Sequence, residues 1–515
     1  MENLYFLGCL GIFAVLGLLY RLVSSRRLLS PPPGPAGHWL WGNLTEINTP
    51  HRAVKAGTDY KKAYGDVVCL RTISNTTIVL NSESAVMELL DKRASETADR
   101  PRNVFVRELM EWHTSVVLHQ HNNRHRQLRR CLAAALQPSQ ARTYSALHSS
   151  NLLSFLRALA KTPEDFLHHI DDSASRFIMR LAYGHDIIEN DPLVEAVRAG
   201  QIYMEDGLAT HRWVNSLPFL RYYPSWAPGG DFQTVAREGL RRRLEFANTP
   251  FYTVMDVIRK NGVVRPSFTS QLLEQKGGPQ ASDEDVDLIK WSAASLFGGG
   301  TATTVSILST LIFLLALHPD EAKKGQDESD RVIGRDRLPT VHDRGSLPYV
   351  EAILQEAMRY YPVIPLSIPH ATEEDLEFRG YLIPKGSAIE PNIWAMMHDP
   401  EIYPDPHLFR PSRFMPPNPA PDPRKHIFGF GRRVCPGIHV AYDSTFIHCA
   451  GLLAIFDFEA SEELLASVKA VGGRDSPDLW KLFNNSKIVR PRPYKCSIRV
   501  RDGMSKTLLE NSIAE

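Results

Sequence analysis

One cysteine of this sequence stands in a setting suited to metal-ligand chemistry. Cys435 lies in the run Phe-Gly-Phe-Gly-Arg-Arg-Val-Cys-Pro-Gly, which covers residues 428–437. The glycines let a backbone turn lie close against a flat ligand, and the proline restricts the chain directly after the sulfur. Backbone N–H groups in such a turn donate to a thiolate, and Arg433 is placed to bind an anionic group of the same ligand. A lone cysteine is more often a buried structural residue, but these neighbours at this spacing favour a thiolate ligand.

A second unusual run, Gly298-Gly-Gly-Thr-Ala-Thr-Thr304, lies in the middle of the longest predicted helix. That helix runs from about Glu284 to Leu317 and opens on acidic residues, which suit a helix N-terminus. Three glycines in a helix interior cost about 1 kcal/mol each relative to alanine. Two interpretations stay open: a local distortion where a ligand approaches the backbone, and a loop between two ordinary helices. A phosphate-binding loop is disfavoured, because no strand precedes the glycines and no lysine follows them.

The cysteine run resembles the haem-binding signature of the cytochrome P450 family, Phe-x-x-Gly-x-Arg-x-Cys-x-Gly. All of its fixed positions are filled, by Phe428, Gly431, Arg433, Cys435 and Gly437. The resemblance implies that these residues bind haem b, with Cys435 as the axial ligand of the iron and Arg433 at a propionate. It extends over nearly the whole chain.

Three residues resemble the structural brace of that family. Glu356-Ala-Met-Arg359 matches its Glu-x-x-Arg helix, in which residues three apart share one helix face. Arg413, in the run Pro-Ser-Arg-Phe, matches the arginine that joins the pair. The resemblance implies that this triad supports the loop leading to Cys435 and takes no part in the chemistry.

Further haem contacts follow from the resemblance alone. His370 stands where the family commonly places a basic residue against a propionate. The family's Trp-x-x-x-Arg pattern appears as His125-Arg-Gln-Leu-Arg129, so His125 replaces the tryptophan, and both residues are predicted propionate donors. Histidines at positions 113, 119 and 121 raise the alternative of a separate metal site. Since no carboxylate or cysteine completes a tetrahedral set, a polar loop beside the substrate pocket is favoured.

The glycine-rich run of the long helix resembles the family's oxygen-binding groove, Gly-x-acid-Thr-Thr. Thr303 takes the place of the threonine that hydrogen-bonds dioxygen and helps to deliver protons, which makes it the second predicted catalytic residue. The acidic position holds Ala302, the clearest departure from the family pattern. Thr301, ordered water and a hydroxyl group of the substrate are the alternative proton donors.

The composition of the chain limits the class of protein and the kinds of partner that are expected. The chain has 515 residues, of which 43% are hydrophobic and 23% charged, as in a folded globular protein. Its 59 basic and 58 acidic side chains nearly balance, so no nucleic-acid partner is expected. The six cysteines are scattered without a CxxC pair, which disfavours a disulfide framework or a zinc ribbon and indicates a reducing compartment.

The N-terminus predicts a membrane anchor. Leu4–Tyr20 carries no charge, and basic residues follow it at positions 21, 26 and 27, which keeps the rest of the chain cytosolic by the positive-inside rule. A cleaved signal peptide is the alternative, but its basic cluster would precede the apolar run. We therefore predict an anchor over residues 1–30, a proline-rich hinge over 31–36 and a catalytic domain over 37–515. The expected location is the endoplasmic reticulum membrane.

The pattern of apolar residues predicts a mainly α fold with a minor β component, in one large P450-type haem domain built around a long central helix. Strands are predicted at 67–71, 77–80 and around 380–384. Four segments resemble the family's substrate-contact regions: 104–118, 213–226, 363–368 and 480–483. The second is rich in aromatics and is either core or an entrance lip in the membrane interface. Together with the 381–385 and 392–406 runs, it is similar to fungal microsomal members that tailor terpenoids, polyketides or indoles.

The resemblance implies a monooxygenase that oxidises a small lipophilic substrate with dioxygen. No flavin or nicotinamide signature is evident, so electrons are expected from NADPH through a separate reductase. Basic residues near the cysteine side form a predicted docking face, or simply a solvated surface: Arg124, Arg126, Arg130, Arg424, Lys425 and Arg432. The alternatives are a haem-thiolate isomerase or peroxide-using enzyme without external electrons, and a membrane-bound haem carrier or sensor.

Overall fold

The computed structural model describes residues 29–188, 191–210, 212–261 and 264–512. The predicted membrane anchor therefore lies outside the described residues, apart from its last two positions. The proline run that follows packs on the domain: Pro33 O accepts a hydrogen bond from Cys69 N (2.8 Å), and Asn43 Nδ2 donates to Pro35 O (3.0 Å). A Cβ on Gly34 would lie 1.9 Å from Cys69 O, so only glycine permits this approach.

Strands in the described residues form three small sheets: β1 Val67–Arg71, β2 Thr76–Leu80, β3 His370–Ala371, β4 Leu376–Phe378, β5 Tyr381–Ile383, β6 Ala388–Pro391, β7 Phe456–Ala460 and β8 Cys496–Val500. The four-stranded sheet has the order β1-β2-β6-β3, in which β2 and β6 are parallel and the other pairs antiparallel. β4 pairs with β5 and β7 with β8. The predicted strands at 67–71, 77–80 and around 380–384 are confirmed.

Helices make up most of the described chain, and the longer ones are α1 Asn123–Leu136, α2 Ser145–Lys161, α3 Phe166–Tyr183, α4 Pro192–Ala209, α5 Asp231–Asn261, α6 Phe268–Gln275, α7 Asp283–Gly300, α8 Ala302–Leu317, α9 Pro319–Val332, α10 Pro348–Tyr360, α11 Ile438–Ile455, α12 Glu462–Ala470 and α13 Gly503–Asn511. The predicted mainly α fold with a minor β component is confirmed.

Shorter helical turns connect these elements. The α-helical turns are Leu44–Ile47, Arg52–Lys55, Lys61–Tyr64, Glu83–Val86, Pro138–Ala141, Trp213–Ser216, Ile393–Met397 and Arg424–Ile427. Wider, π-type turns cover Ala56–Tyr60, Met87–Lys92 and Val104–Leu109. The tighter 3₁₀ turns are Trp112–Thr114, Arg142–Tyr144, Pro163–Asp165, Pro218–Tyr222, Gly278–Gln280, Val341–Ser346, Pro411–Phe414, Gly431–Arg433 and Leu479–Leu482.

The long central helix is nearly continuous. Ser282 caps α7 by accepting a hydrogen bond from Asp285 N (3.2 Å), as its acidic first turn suggests. Thr301 alone separates α7 from α8, yet its N–H donates to Phe297 O (3.2 Å) and its carbonyl accepts from Val305 N (3.0 Å). The loop interpretation is therefore wrong, and the local distortion is present at Thr301; the approach of a ligand to this backbone stays a prediction.

Two helical stretches are long and apolar enough to cross a membrane, Asp283–Leu317 and Ile438–Ile455. Every residue from Val305 to Leu317 is buried, which is the pattern of a helix surrounded by protein. α8 and α11 share one apolar core with α2, α3 and α10. Both stretches are therefore core helices, and they carry the two sides of the candidate site.

Candidate active site

The cysteine loop folds back on itself and leads into α11. Cys435 N donates to Phe428 O (2.7 Å), and the Gly437 N–H donates to the Cys435 sulfur. α11 begins one residue later, so the positive end of its dipole points at the sulfur. Burial raises the pKa of the Cys435 thiol, whereas the Gly437 N–H and the Arg129 guanidinium lower it. A metal cation on the sulfur would complete this stabilisation of the thiolate.

Two glycines of the signature are required by the backbone. Gly429 has φ +83° and Gly431 has φ +52°, in the left-handed region that favours glycine. A Cβ at Gly431 would also lie 2.2 Å from Leu90 O. Phe428 packs edge-on against Tyr442 of α11, with ring centroids 5.0 Å apart. These residues therefore shape the loop that presents Cys435.

Arg433 is buried, and each nitrogen of its guanidinium has one hydrogen-bond partner. Its Nε donates to Ala98 O (2.6 Å) and its Nη2 to His119 O (2.7 Å). Its Nη1 lies 2.8 Å from His125 Nε2, which must accept because a guanidinium only donates. Burial and the neighbouring Arg433 lower the pKa of His125 to about 2. His125 thus orients Arg433 here through Nε2, while its predicted role as a propionate donor stays a prediction.

Two more guanidinium groups lie in the same region. Arg129, predicted from the sequence, donates to Val434 O (2.9 Å) beside the cysteine. Arg100 was missed, because nothing in the local sequence marks it; its guanidinium is buried and donates to the backbone carbonyls of Val117, Ile368 and Pro369. Burial lowers the pKa of Arg100, and the charges of Arg433 and Arg107 lower it further. These arginines repel one another, and an anion between them would relieve that repulsion.

The other histidines of this region, His370 and His121, make different contacts. His370 is buried in β3, and its Nδ1 lies 3.1 Å from Thr97 O, so Nδ1 donates and Nε2 donates only when the ring is protonated. Burial and Arg100 lower the pKa of His370 to about 3. Within the described ranges, no three His, Cys, Asp or Glu side chains come together as a metal site. His121 instead faces Glu373, with Nδ1 and Oε1 3.2 Å apart.

The charge balance of this region fits a haem. Arg100, Arg129 and Arg433 interact electrostatically, and Asp99 is the carboxylate that acts on both Arg100 and Arg433. Buried cations in such excess are costly unless anions pair with them. A haem carries two propionates for the arginines and an iron for the Cys435 sulfur. The donor set therefore matches the group that the sequence signature implies.

α7 and α8 carry the glycine run that the resemblance assigns to the oxygen side of the site. Gly299 is exposed and Thr303 partly exposed, although the helix around them is mostly buried. A Cβ on Gly299 would meet no atom within 4 Å, so space lies beside this turn. Thr303 Oγ1 donates to Gly299 O (2.6 Å), and Thr301 Oγ1 is buried and donates to Phe297 O (3.0 Å). Thr303 thus faces open space, whereas Thr301 does not.

A polar pair on α4 contacts this helix and was also missed. Gln201 Nε2 donates to Gly298 O (3.3 Å) and to Glu205 Oε1 (2.8 Å). Burial raises the pKa of Glu205, while Gln201 and the charge of Arg490 lower it. The Ala302 side chain cannot transfer a proton, and Gln201 links the carboxyl of Glu205 to the glycine run.

The predicted structural triad forms and is fully buried. Glu356 accepts from Arg359 Nε (2.6 Å) and Nη2 (2.9 Å) and from Arg413 Nε (3.0 Å). Arg359 also donates to Met397 O (2.8 Å), and Ala420 N donates to Arg413 O (2.7 Å). The triad therefore ties α10 to the segment that leads to the cysteine loop.

Comparison with known proteins agrees with this geometry. The model of the cytochrome P450 family matches residues 32–468, which include every site residue described above. The chain belongs to the cytochrome P450 family. It is 33% identical over 488 residues to the cytochrome P450 monooxygenase claR of Ampulloclitocybe clavipes, covering 93% of this chain and 88% of that protein. It is 34% identical to the monooxygenase COX2 of Coprinopsis cinerea, over 98% of this chain and 95% of the relative. The monooxygenase ppsD of Aspergillus oryzae is 33% identical, with coverage of 96% and 93%.

This P450 is therefore a haem-dependent monooxygenase, an oxidoreductase with iron as its catalytic metal. P450 monooxygenases use dioxygen and a redox partner. The comparisons do not assign roles to individual residues, so the roles of Cys435, Arg433 and Thr303 stay predictions.

Proposed function

We propose that this P450 holds haem b through Cys435 as its axial ligand and oxidises a small lipophilic substrate, by hydroxylation or a related reaction, in fungal secondary metabolism of terpenoids, polyketides or indoles. The observation that carries the proposal is the Cys435 sulfur, bonded by the Gly437 N–H beside buried arginines in excess of acids. When bound, the haem supplies the iron at which dioxygen is activated. Electrons come from NADPH through a separate reductase.

The chain's own residues bind, orient and supply protons. Arg433, Arg129 and Arg100 are proposed to pair with the propionates, and His370 joins them only when a propionate charge raises its lowered pKa enough to protonate the ring. The hydroxyl of Thr303 is the proposed proton-holding group on the oxygen side. It donates its hydrogen to Gly299 O, so Oγ1 can still accept a hydrogen bond from another group. Phe428, Gly431 and Gly437 shape the loop that would hold the haem.

The membrane proposal rests on exposed aromatic side chains. Tyr222 is 82% exposed and Trp226 is 86% exposed, in the segment predicted as an entrance lip. Asn75 Nδ2 donates to Asn215 O (3.4 Å), which places the β1–β2 turn with exposed Ile73 beside this segment. Exposed aromatics of this kind suit the interface of a bilayer. We propose that residues 1–30 anchor the chain in the endoplasmic reticulum membrane, residues 31–36 set its orientation and residues 37–515 form the cytosolic domain.

We keep four of the six predicted basic residues in the proposed reductase-docking face. Arg124 pairs with Asp287 and Arg424 with Asp422, so these two charges are already engaged. The remaining four are exposed and have no acidic partner in the part of the chain that the structure describes: Arg126, Arg130, Lys425 and Arg432. Arg126 and Arg130 lie on α1, whose Arg129 contacts Val434 next to the ligand cysteine.

The decisive experiment is expression with a reductase, followed by reduced-carbon-monoxide difference spectroscopy and feeding of candidate lipophilic metabolites. The proposal predicts the absorption signature of a thiolate-ligated haem, lost in Cys435→Ser, and substrate oxidation that requires NADPH. A spectrum without the thiolate signature would overturn it.

A second candidate function is isomerisation or peroxide chemistry on the same haem, which Ala302 favours because the usual acid is missing. Full turnover without NADPH and reductase would establish this alternative. Thr303 argues against it, since its hydroxyl faces open space at the helix distortion.

A further inference from the structure

The structure contains a cavity of about 120 Å³ beside predicted substrate-contact segments. The predicted segment 363–368 lines this cavity, and the predicted segment 480–483 lies just before its lining residue Asn485 in the chain. The end of α4 and the turn that begins at Arg52 also line it. Its lining includes Ala209, Tyr361, Ile364, Arg52, Asn485 and Lys487. The cavity therefore lies where these segments meet, and it mixes apolar and cationic walls.

Arg52, in the wall of the cavity, forms an ion pair with Glu390. Arg52 Nη2 lies 2.9 Å from Glu390 Oε1, and Arg52 Nη1 lies 2.6 Å from Oε2. The two side chains are 7% and 6% exposed. Arg52 and Glu390 therefore form an ion pair that is neutral as a unit, in which Oε1 accepts a hydrogen bond and Oε2 is held by charge alone.

Lys487 is the charge left over. Its ammonium has no hydrogen-bond acceptor and no carboxylate oxygen within 4.0 Å among the described residues, and its side chain is partly exposed where it lines the cavity. Burial lowers the pKa of Lys487; Glu390 acts in the opposite direction and Arg52 lowers it further. Burial and the charge of Arg492 also lower the pKa of His51 in the same wall. Because Glu390 is balanced by Arg52, a protonated Lys487 gives the cavity wall a net positive charge.

A neutral donor stands beside this cation. Asn485 Oδ1 accepts a hydrogen bond from His51 N (2.7 Å), which leaves the Asn485 NH₂ group without an acceptor in the described chain. An ammonium and an amide NH₂ are the groups that bind a carboxylate, and Tyr361, Ile364 and Ala209 offer apolar surface for the carbons next to it.

We propose that this cavity binds the carboxylate of an anionic lipophilic substrate, with Lys487 as its charge partner and Asn485 as a second donor. The proposal rests on the proposed monooxygenase function and adds a substrate class to it: carboxylic acids with an apolar chain. A lysine with a purely structural role would have a hydrogen-bond acceptor of its own, and the Lys487 ammonium has none among the described residues.

The test compares decanoate with methyl decanoate on the full-length, detergent-solubilised holoenzyme by titration calorimetry. Wild type should bind decanoate about ten-fold more tightly than the ester, as expected for one charge-assisted hydrogen bond in a partly desolvated site. Lys487→Met should remove this preference and leave the ester's affinity unchanged, whereas Lys487→Arg should keep most of it. Lys495→Met, on the exposed surface, is the matched control and should behave as wild type.

Stability separates binding from folding. Because Lys487 is an unpaired, partly buried cation, Lys487→Met should leave the thermal midpoint unchanged or raise it. A lower midpoint together with weaker binding of both probes would mean that Lys487 is structural, and it would overturn the proposal. Equal affinity of wild type for acid and ester would do the same.

A lipid headgroup is the other source of an anion on an apolar chain. Binding to vesicles of phosphatidylserine and phosphatidylcholine should be unchanged in Lys487→Met; weaker binding to phosphatidylserine with an unchanged decanoate preference would assign the cavity to headgroups and refute the substrate proposal. Carbon-monoxide spectroscopy reports on the haem independently. A Lys487-dependent decanoate preference in a protein that lacks the thiolate signature would refute the proposed function alone.

Discussion

Glu356→Gln is the substitution for which the structure gives the clearest magnitude. The Glu356 carboxylate accepts four hydrogen bonds, from Arg359 Nε and Nη2, Arg413 Nε and Arg410 N. It also balances the charges of two arginines, one of them completely buried. Gln keeps the size but not the charge, and its NH₂ group cannot accept. Breaking a buried ion pair by removing one partner costs about 3–5 kcal/mol.

That cost translates into a modest shift of the thermal midpoint. Unfolding entropy of about 2.1 cal/mol/K per residue gives roughly 1.1 kcal/mol/K for 515 residues. A loss of about 4 kcal/mol therefore lowers the midpoint by about 4 °C. Since the triad supports the segment before the cysteine loop, the fraction of haem with the thiolate signature should also fall on incubation. Scanning fluorimetry at one scan rate and difference spectroscopy measure the two effects.

The matched control is Asp327→Asn on α9. Asp327 pairs with Lys323 (2.6 Å), but both side chains are 60% exposed, and such pairs contribute at most about 0.5 kcal/mol. Its midpoint should stay within about 1 °C of wild type. If Glu356→Gln shifted the midpoint no more than this control, the assignment of the triad as a buried brace would be wrong.

Three further predictions concern the site and its partners. Ala302→Asp should leave the hydrogen peroxide released per substrate oxidised within about two-fold of wild type, because the polar pair on α4 already contacts the glycine run; heavy uncoupling that the aspartate repairs would show an impaired relay instead. Reversing Arg126 and Arg432 to Glu should lower reductase-supported turnover by on the order of ten-fold and spare a peroxide-driven assay, and equal losses in both assays would discard the docking face. Arg433→Leu should reduce bound haem, measured as the haem-to-protein ratio, while Lys495→Met should retain it.

The sequence predicted those parts of the site that depend on local patterns. The signature around Cys435 needs glycines at fixed positions, because Gly429 and Gly431 have positive φ values that other residues rarely adopt. The motif can therefore be recognised from the sequence alone. The central helix was predicted from 284 to 317 and runs from Asp283 to Leu317 with one irregular residue. Strand runs rich in Val and Ile were equally direct, because β-branched residues suit a buried sheet.

Contacts between distant segments were beyond the reach of sequence patterns. Arg100 is held by carbonyls at positions 368 and 369, more than 260 residues away, and no spacing rule announces such a contact. The hydrogen bond that His125 Nε2 accepts from Arg433, 308 residues later, was likewise not predicted from the sequence. Lys487 followed no motif, and only the pairing of Arg52 with Glu390 shows that its charge is left over.

The two cationic regions of this P450 differ in a way that matches their proposed ligands. Arg433 and Arg100 each donate to at least two backbone carbonyls or rings, so their guanidinium groups are fixed before any ligand arrives. A planar, rigidly held fork suits a group that stays bound, as haem propionates do. Lys487 is a point charge on a flexible stem, and no acceptor holds its ammonium in the part of the chain that the structure describes. Its ligand has to supply the bonds itself, and so a carboxylate that arrives and leaves with each turnover fits Lys487 better than a permanent cofactor does.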